Sequence, residues 1–244
     1  MSQAEAIPAA TVIVMREVAD GPPELLMVER SRAMAFAGGA LVFPGGRIDP
    51  GDHLLAGAHE DAAARVAAIR ETIEEAGLAL GLDCDADTLA GMRAALHGGD
   101  SFAQLLTQAG LALDLDVLVP FARWLPYGLP HRVFDTRFYL ARAPEGAVPQ
   151  VDGSENVRLC WSTARDALDS ADRGEATVIY PTRRNLERLA PFDGFESAMD
   201  HARRFPIEPI TPFVESRGGI DWLCIPEGLG YPVTAERMDR AVRA

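Results

Sequence analysis

Apolar and polar positions change rhythm several times along the chain. A β-branched run at 11–15 (Thr-Val-Ile-Val-Met) and an apolar run at 25–28 (Leu-Leu-Met-Val) flank the turn-forming Asp20-Gly21-Pro22-Pro23. These read as neighbouring antiparallel strands. Residues 31–39 read as a loop containing Phe36 and paired glycines; a third strand follows at 40–43 and ends at Pro44-Gly45-Gly46. After turn chemistry at Asp49-Pro50-Gly51-Asp52, an alanine-rich helical stretch runs from 58 to Gly77, a residue suited to the left-handed stop after a last turn. At about 100° per residue, Val66, Ile69, Ile73 and Ala76 fall on one face of that helix and Glu71, Glu74 and Glu75 on another. Helices are predicted at 87–96 and 102–109, the second capped by Asp100 or Ser101. Strands follow at 117–119, 123–125, 133–141 and 155–161, then helices at 162–168 (capped by Ser162 or Thr163), 183–190 and 195–204. Beyond Pro206 proline and glycine are frequent, with short apolar pieces around Ile210, Leu223 and Tyr231 and a short amphipathic helix over 234–244. The alternation of strands and helices predicts an α/β protein with a single domain over 1–244.

The glutamate face is the first sign of chemistry. Glu71, Glu74 and Glu75 stand at i, i+3 and i+4, where each like-charged pair costs a helix about 0.2–0.5 kcal/mol. A solvated acidic face is one reading of such a cluster. The other is a site for a hard divalent cation, which takes carboxylate oxygens and offsets the repulsion.

Composition narrows the choice. A chain of 244 residues, 48% hydrophobic, can bury a sizeable core. The net charge is −13 and no basic run occurs, which disfavours nucleic acid as a partner; an anionic substrate is compatible only with cations at the site. Cys84, Cys160 and Cys224 lack disulfide or zinc spacing and point to packing in a reducing compartment. His53, His59, His97, His131 and His201 are scattered without ligand spacing and read as non-ligands. Neither a secretory signal nor a membrane-spanning stretch is read, so a cytoplasmic protein without a membrane partner is expected. The nucleophile elbow and the P-loop lack their defining residues.

The stretch Arg70-Glu71-Thr72-Ile73-Glu74-Glu75-Ala76-Gly77-Leu78, with Phe43-Pro44-Gly45-Gly46 upstream, resembles the Nudix box, written G-x5-E-x7-R-E-U-x-E-E-x-G-U with U apolar. Gly46, Arg70, Glu71, Glu74, Glu75, Gly77 and Leu78 match it. Asp52 stands where the box has its first glutamate, the interval from there to Arg70 is ten residues longer, and Thr72 takes a commonly aliphatic position. The resemblance implies a Nudix fold: an α/β/α sandwich with a mixed central sheet, here with an accessory helical insertion at about 87–110 and a C-terminal extension from about 191. It also implies Mg²⁺ or Mn²⁺ as cofactor, held by Glu71, Glu74 and Glu75, and a homodimer as the common assembly. Glu71 and Glu74 are catalytic candidates, and which carboxylate assists the water is left open. Arg70 would orient a box glutamate through a bidentate pair. Asp52 could fill the first glutamate's structural role. Glu155 is a candidate carboxylate reaching in from a loop; an exposed residue at a strand start is its other reading.

Residues 25–31 and 36–46, with Phe134-Asp135-Thr136-Arg137-Phe138-Tyr139, resemble larger, box-interrupted members of the coenzyme A diphosphatase branch. The substrate implied is a small nucleoside diphosphate derivative, coenzyme A or acyl-coenzyme A. ADP-ribose, NADH or a nucleotide sugar is the second reading, and a nucleotide-binding module without turnover the third. Arg30, Gly45, Gly46 and Arg47 are candidate substrate contacts. Arg183 and Arg184, near a helix N-terminus, are read as solvated or as phosphate contacts.

Overall fold

The structure, a computed structural model, describes residues 6–34, 37–55, 57, 59–126, 133–151 and 156–241. The first apolar runs become β1 (Ile7–Arg16) and β2 (Glu24–Arg30), antiparallel, with Met15 opposite Leu25. Both are buried on two faces. Val12, Val14 and Leu26 face one core, while Ile13, Met15, Leu25 and Met27 face the other, so continuous apolar sequence replaces simple alternation. β3 (Leu41–Val42) pairs with β2. The glycines that were expected to end the strand run instead form β4 (Gly45–Arg47), antiparallel to β1. Only glycine permits that approach: at Gly45, with φ +155°, a Cβ would lie 2.3 Å from the Ala10 carbonyl oxygen.

A 3-10 turn, Pro50–Leu55, leads to α1 (Ala62–Ala76). The helix starts later than residue 58 and is buried almost all round, because α2 (Ala86–His97) and α3 (Phe102–Ala109) add Met92, Leu96, Phe102 and Leu106 to the core it shares with the sheet. Ser101 occupies the α3 cap position without a side-chain cap bond. The strand expected at 117–119 is a 3-10 turn, Leu115–Val117, fixed by Asp114 accepting from the Asp116 N–H. β5 (Val119–Trp124), β6 (Phe134–Arg142) and β7 (Asn156–Thr163) complete most of the sheet, with β6 parallel to β1 and β7 antiparallel to β2.

On the opposite face lie α4 (Ala164–Asp172), capped by Thr163, α5 (Tyr180–Leu189) and α6 (Phe195–Ala202). With β8 (Pro209–Ile210) parallel to β5, the mixed sheet runs β3-β2-β1-β6-β5-β8, and it has helices on both faces. The C-terminal apolar pieces form a second antiparallel sheet, β9 (Phe213–Arg217), β10 (Ile220–Cys224) and β11 (Ala235–Arg237). The helix expected over 234–244 shrinks to α7 (Met238–Ala241), because β10 claims residues 235–237 as a partner. Trp124 donates to the Tyr231 hydroxyl at 3.0 Å, and Tyr231 donates to Asn185 at 2.7 Å, tying this segment to α5. Arg184 is neither solvated nor available to a phosphate: it is 1% exposed and paired with Glu187 and Glu236. Arg183 pairs with Asp172 and Glu187. Of the cysteines, Cys224 is buried and Cys84 and Cys160 are half-buried; all three are free thiols.

The start of α1 is tied down by a polar network. Asp61 accepts from Arg65 Nε at 2.7 Å and from the Tyr139 hydroxyl at 2.9 Å, while Arg65 Nη1 donates to the carbonyls of Leu115 and Leu118. Burial pushes the Asp61 carboxyl up, but the hydrogen bonds from Arg65 and Tyr139 hold it below its ordinary range. A carboxyl with a lowered folded pKa stabilises the fold above its unfolded value, and that contribution is lost as pH falls through the folded value. Asp61→Asn should therefore lower stability at neutral pH by about 1–3 kcal/mol. It should also flatten the decline on the acid side, as measured by urea unfolding at successive pH values. An acid limb unchanged by the substitution would contradict this assignment.

Candidate active site

Three consecutive residues of β4 meet three residues of α1. The Gly45 N–H donates to Glu75 Oε2 at 2.9 Å, and the Arg47 carbonyl accepts from Arg70 Nη2 at 2.9 Å. Between them, the Glu71 carboxylate lies so close to Gly46 that a Cβ there would sit 2.4 Å from it. The glycine pair thus has two separate reasons: Gly45 lets β4 approach β1, and Gly46 leaves room for a carboxylate.

Arg70, 7% exposed, is the centre of the cluster. Its Nε and Nη2 form a bidentate pair with Asp52 at 3.0 Å each, and its Nη1 donates to both Glu71 Oε1 and Glu74 Oε1 at 2.9 Å. The bidentate partner is therefore Asp52 and not a box glutamate, which corrects the expectation from sequence. Asp52 is 1% exposed, and it reaches Arg70 despite its short side chain because the 3-10 turn delivers it, with the Asp49 N–H donating to Asp52 Oδ2 at 2.8 Å. Thr72, fully buried, satisfies its hydroxyl on the Ala68 carbonyl at 2.7 Å.

Among the described residues, the acids around Arg70 outnumber it. Glu71, Glu74, Glu75 and Asp52 crowd about one guanidinium. Burial first, then repulsion from Glu75 and Glu74, pushes the Glu71 carboxyl up to about 8, with Arg70 opposing the rise. For Arg70 burial works against the charge, but Asp52, Glu71 and Glu74 hold its pKa above the ordinary value.

The far end of α1 is capped by groups the sequence did not announce. Gly77, at φ 65°, donates to the Ile73 carbonyl at 2.9 Å, the left-handed stop expected there. Arg93 of α2 donates Nε to the Glu74 carbonyl at 2.9 Å and Nη2 to the Glu75 carbonyl at 3.3 Å. His97 Nε2 lies 3.0 Å from the Glu74 carbonyl, and the Gln150 N–H reaches the Ala76 carbonyl at 2.9 Å. The helix that carries the glutamates thus ends with its free carbonyls met and with a cation at the negative end of its dipole. Caps drawn from distant residues leave no local pattern, so Arg93 and Gln150 had no sequence signal.

Gly45, Gly46, Arg70, Glu71, Glu74 and Glu75 are thus brought together. Arg47 joins through its carbonyl, and its side chain is exposed. Arg30 stands at the end of β2, its backbone bonded to Gly39 and Ala40; no hydrogen bond or ion pair links it to the carboxylates among the described residues. Glu155 and His131 lie outside the described residues. In this arrangement Arg70 takes one oxygen each of Glu71 and Glu74 while Glu75 turns to Gly45. Among the described residues no group of three or more His, Cys, Asp or Glu side chains is placed to hold a metal ion. The donors nevertheless suit a hard cation in kind, since they are carboxylate oxygens gathered on one turn of helix.

No family model matches the chain. A NUDIX hydrolase from Alicyclobacillus acidocaldarius, known as a crystal structure, is 31% identical with a TM-score of 0.71; the match covers 82% of this chain and 97% of that one. A MutT NUDIX hydrolase from Burkholderia pseudomallei is 19% identical with a TM-score of 0.43, covering 75% and 97% respectively. The MutT protein from Methanosarcina mazei Go1 is 15% identical with a TM-score of 0.47, covering 77% and 96%.

Three substitutions probe this geometry without reference to turnover. Gly46→Ala forces the Glu71 carboxylate away and should cost about 1–3 kcal/mol of stability. Arg93→Ala strips a donor from the carbonyls of Glu74, Glu75 and Gln150 and should cost about 1–3 kcal/mol, with His97→Ala costing less because Arg93 still serves Glu74. Urea unfolding measures all three, and an Arg93→Ala protein as stable as the parent would refute the capping role.

Proposed function

The chain belongs to the Nudix hydrolase family, and from that premise we propose that it is a divalent-metal-dependent diphosphatase that splits coenzyme A or acyl-coenzyme A. The products are 3′,5′-ADP and (acyl-)4′-phosphopantetheine. Hydrolysis of a pyrophosphate bond is the family's activity, and it is the activity proposed for this site. The observation that carries it is the gathering of Glu71, Glu74 and Glu75 against Gly45 and Gly46 with Arg70 behind them. The likeness of residues 25–31, 36–46 and 134–139 to the coenzyme A branch supports the substrate.

Nudix hydrolases use divalent metals, and Mg²⁺ or Mn²⁺ is the ion proposed here. Glu71, Glu74 and Glu75 would hold it. When bound, it supplies charge neutralisation of the bridging phosphates and a lowered pKa for water. The residues' own work is positional. Arg70 restrains Glu71 and Glu74 from one side, the Gly45 N–H restrains Glu75, and Asp52 holds Arg70 in place. Arg93 and Gln150 keep the last turn of α1 from fraying, so that Glu74 and Glu75 stay over β4. In this reading α2 and α3, the proposed insertion within one domain, act as a brace for the glutamate helix. Among the described residues no helix is long and apolar enough to cross a membrane, and a reducing cytoplasm suits the free thiols.

Incubation with coenzyme A and Mg²⁺ or Mn²⁺, followed by chromatography, should release adenosine 3′,5′-bisphosphate. Absence of that product, with cleavage of ADP-ribose, NADH or a nucleotide sugar in parallel reactions, would replace the substrate and keep the chemistry. Glu74→Gln should lower turnover by orders of magnitude while the unfolding transition persists. Turnover at the parent rate would mean Glu74 holds no metal.

A further inference from the structure

One row of residues crosses the sheet from the glutamate site. Gly46 pairs with Ala10 across β4 and β1, Ala10 with Arg137 across β1 and β6, and Arg137 with Arg123 across β6 and β5. Residues directly opposite in a ladder share a face. Ala10 lies in the core beneath α1, as does Tyr139, two residues on from Arg137. Phe138 and Leu140 lie in the other core. Arg137 therefore stands on the α1 face, in line with Gly46 and two strand spacings from it, about 10 Å. Its charge is felt by Asp61 and Tyr139 on that same face.

The neighbours of Arg137 are engaged. Arg123 forms a bidentate pair with Asp135 at 2.8 and 2.6 Å, and Asp61 is taken by Arg65 and Tyr139. Arg137 is half-buried, yet among the described residues it donates no hydrogen bond and forms no ion pair. None of its guanidinium nitrogens is buried without a partner, so the cation reaches solvent and is open to a ligand. Here it persists in a chain of net charge −13 that has carboxylates to spare. A guanidinium fork matches a phosphate dianion, through charge-assisted and bidentate bonds.

We propose that Arg137 binds a phosphomonoester of the substrate, one ribose away from the pyrophosphate bridge held at Gly46 and the glutamates. It would thereby select nucleoside diphosphate derivatives that carry an additional phosphate over those that lack it. This deepens the reading above and rests on it for the position of the bridge. Under that reading the group is the 3′-phosphate of coenzyme A, and ADP-ribose and NADH have no counterpart.

Calorimetric binding of adenosine 3′,5′-bisphosphate and of adenosine 5′-monophosphate tests the inference apart from turnover. The parent protein should bind the bisphosphate about 10–100-fold more tightly. Arg137→Gln should lose that preference while its affinity for the monophosphate stays unchanged, and Arg137→Lys should recover part of it. Equal affinities in the parent, no binding of either nucleotide, or a preference that survives Arg137→Gln would overturn the proposal. Thermal unfolding of both variants confirms the fold, and Arg137→Lys carries the comparison if the glutamine variant is unstable. Turnover of coenzyme A against dephospho-coenzyme A separates the two claims. Cleavage of coenzyme A with a ratio indifferent to Arg137→Gln sinks the phosphate contact alone. A bisphosphate preference dependent on Arg137, without cleavage of coenzyme A, sinks the substrate reading alone.

Discussion

The guanidinium of Arg70 is the constraint on which the site depends. It binds Asp52 with two of its nitrogens, shares a third between Glu71 and Glu74, and reaches the Arg47 carbonyl. One buried cation thereby fixes the 3-10 turn, the glutamate helix and the glycine strand relative to one another. Removing it would leave four carboxylates facing each other in a partly desolvated space, which costs far more than the loss of one ion pair. The arrangement tolerates a shorter acid at Asp52 because the turn around Pro50 brings the backbone closer. A ten-residue lengthening of the box therefore does not separate its halves.

The same crowding explains why the glutamates suit a cation. Burial first, then the acidic neighbours Glu75 and Glu74, drive the Glu71 carboxyl up, with Arg70 opposing them. Arg93 adds a second cation, which donates to the helix carbonyls of Glu74 and Glu75. Helix end, glycine strand and arginine together hold three acids at short range, and an ion of opposite sign would relieve what remains.

Much of this was legible in the chain itself. The i, i+3, i+4 spacing of Glu71, Glu74 and Glu75, the apolar face of α1, the Gly77 stop and the strand pair at the start all appear in the structure as local patterns require. What sequence could not show was long-range. Arg93 lies 19 residues from the carbonyl it caps, and nothing near either residue signals the contact. Arg184, read as solvated or as a phosphate contact, has one partner three residues on in Glu187, but the other, Glu236, is 52 residues away on β11. The C-terminal sheet escaped notice because its strands are short, rich in charge and broken by glycine, so that period-2 alternation has too few residues to register. Gly45 and Gly46 read as a stop, whereas their close approach to β1 and Glu71 makes them a strand. Arg137 read simply as one residue of an alternating strand, and only the register through Ala10 aligned it with the glutamates.

The central claim is that Glu71, Glu74 and Glu75 form one metal-holding unit beside Gly45 and Gly46. Crystals soaked in Mn²⁺ and examined by anomalous diffraction test it most directly. The account predicts a manganese peak within bonding distance of oxygens from these glutamates, next to the glycine strand. Carboxylates still bound to Arg70 and the Gly45 N–H at saturating Mn²⁺, with no peak between them, would contradict it.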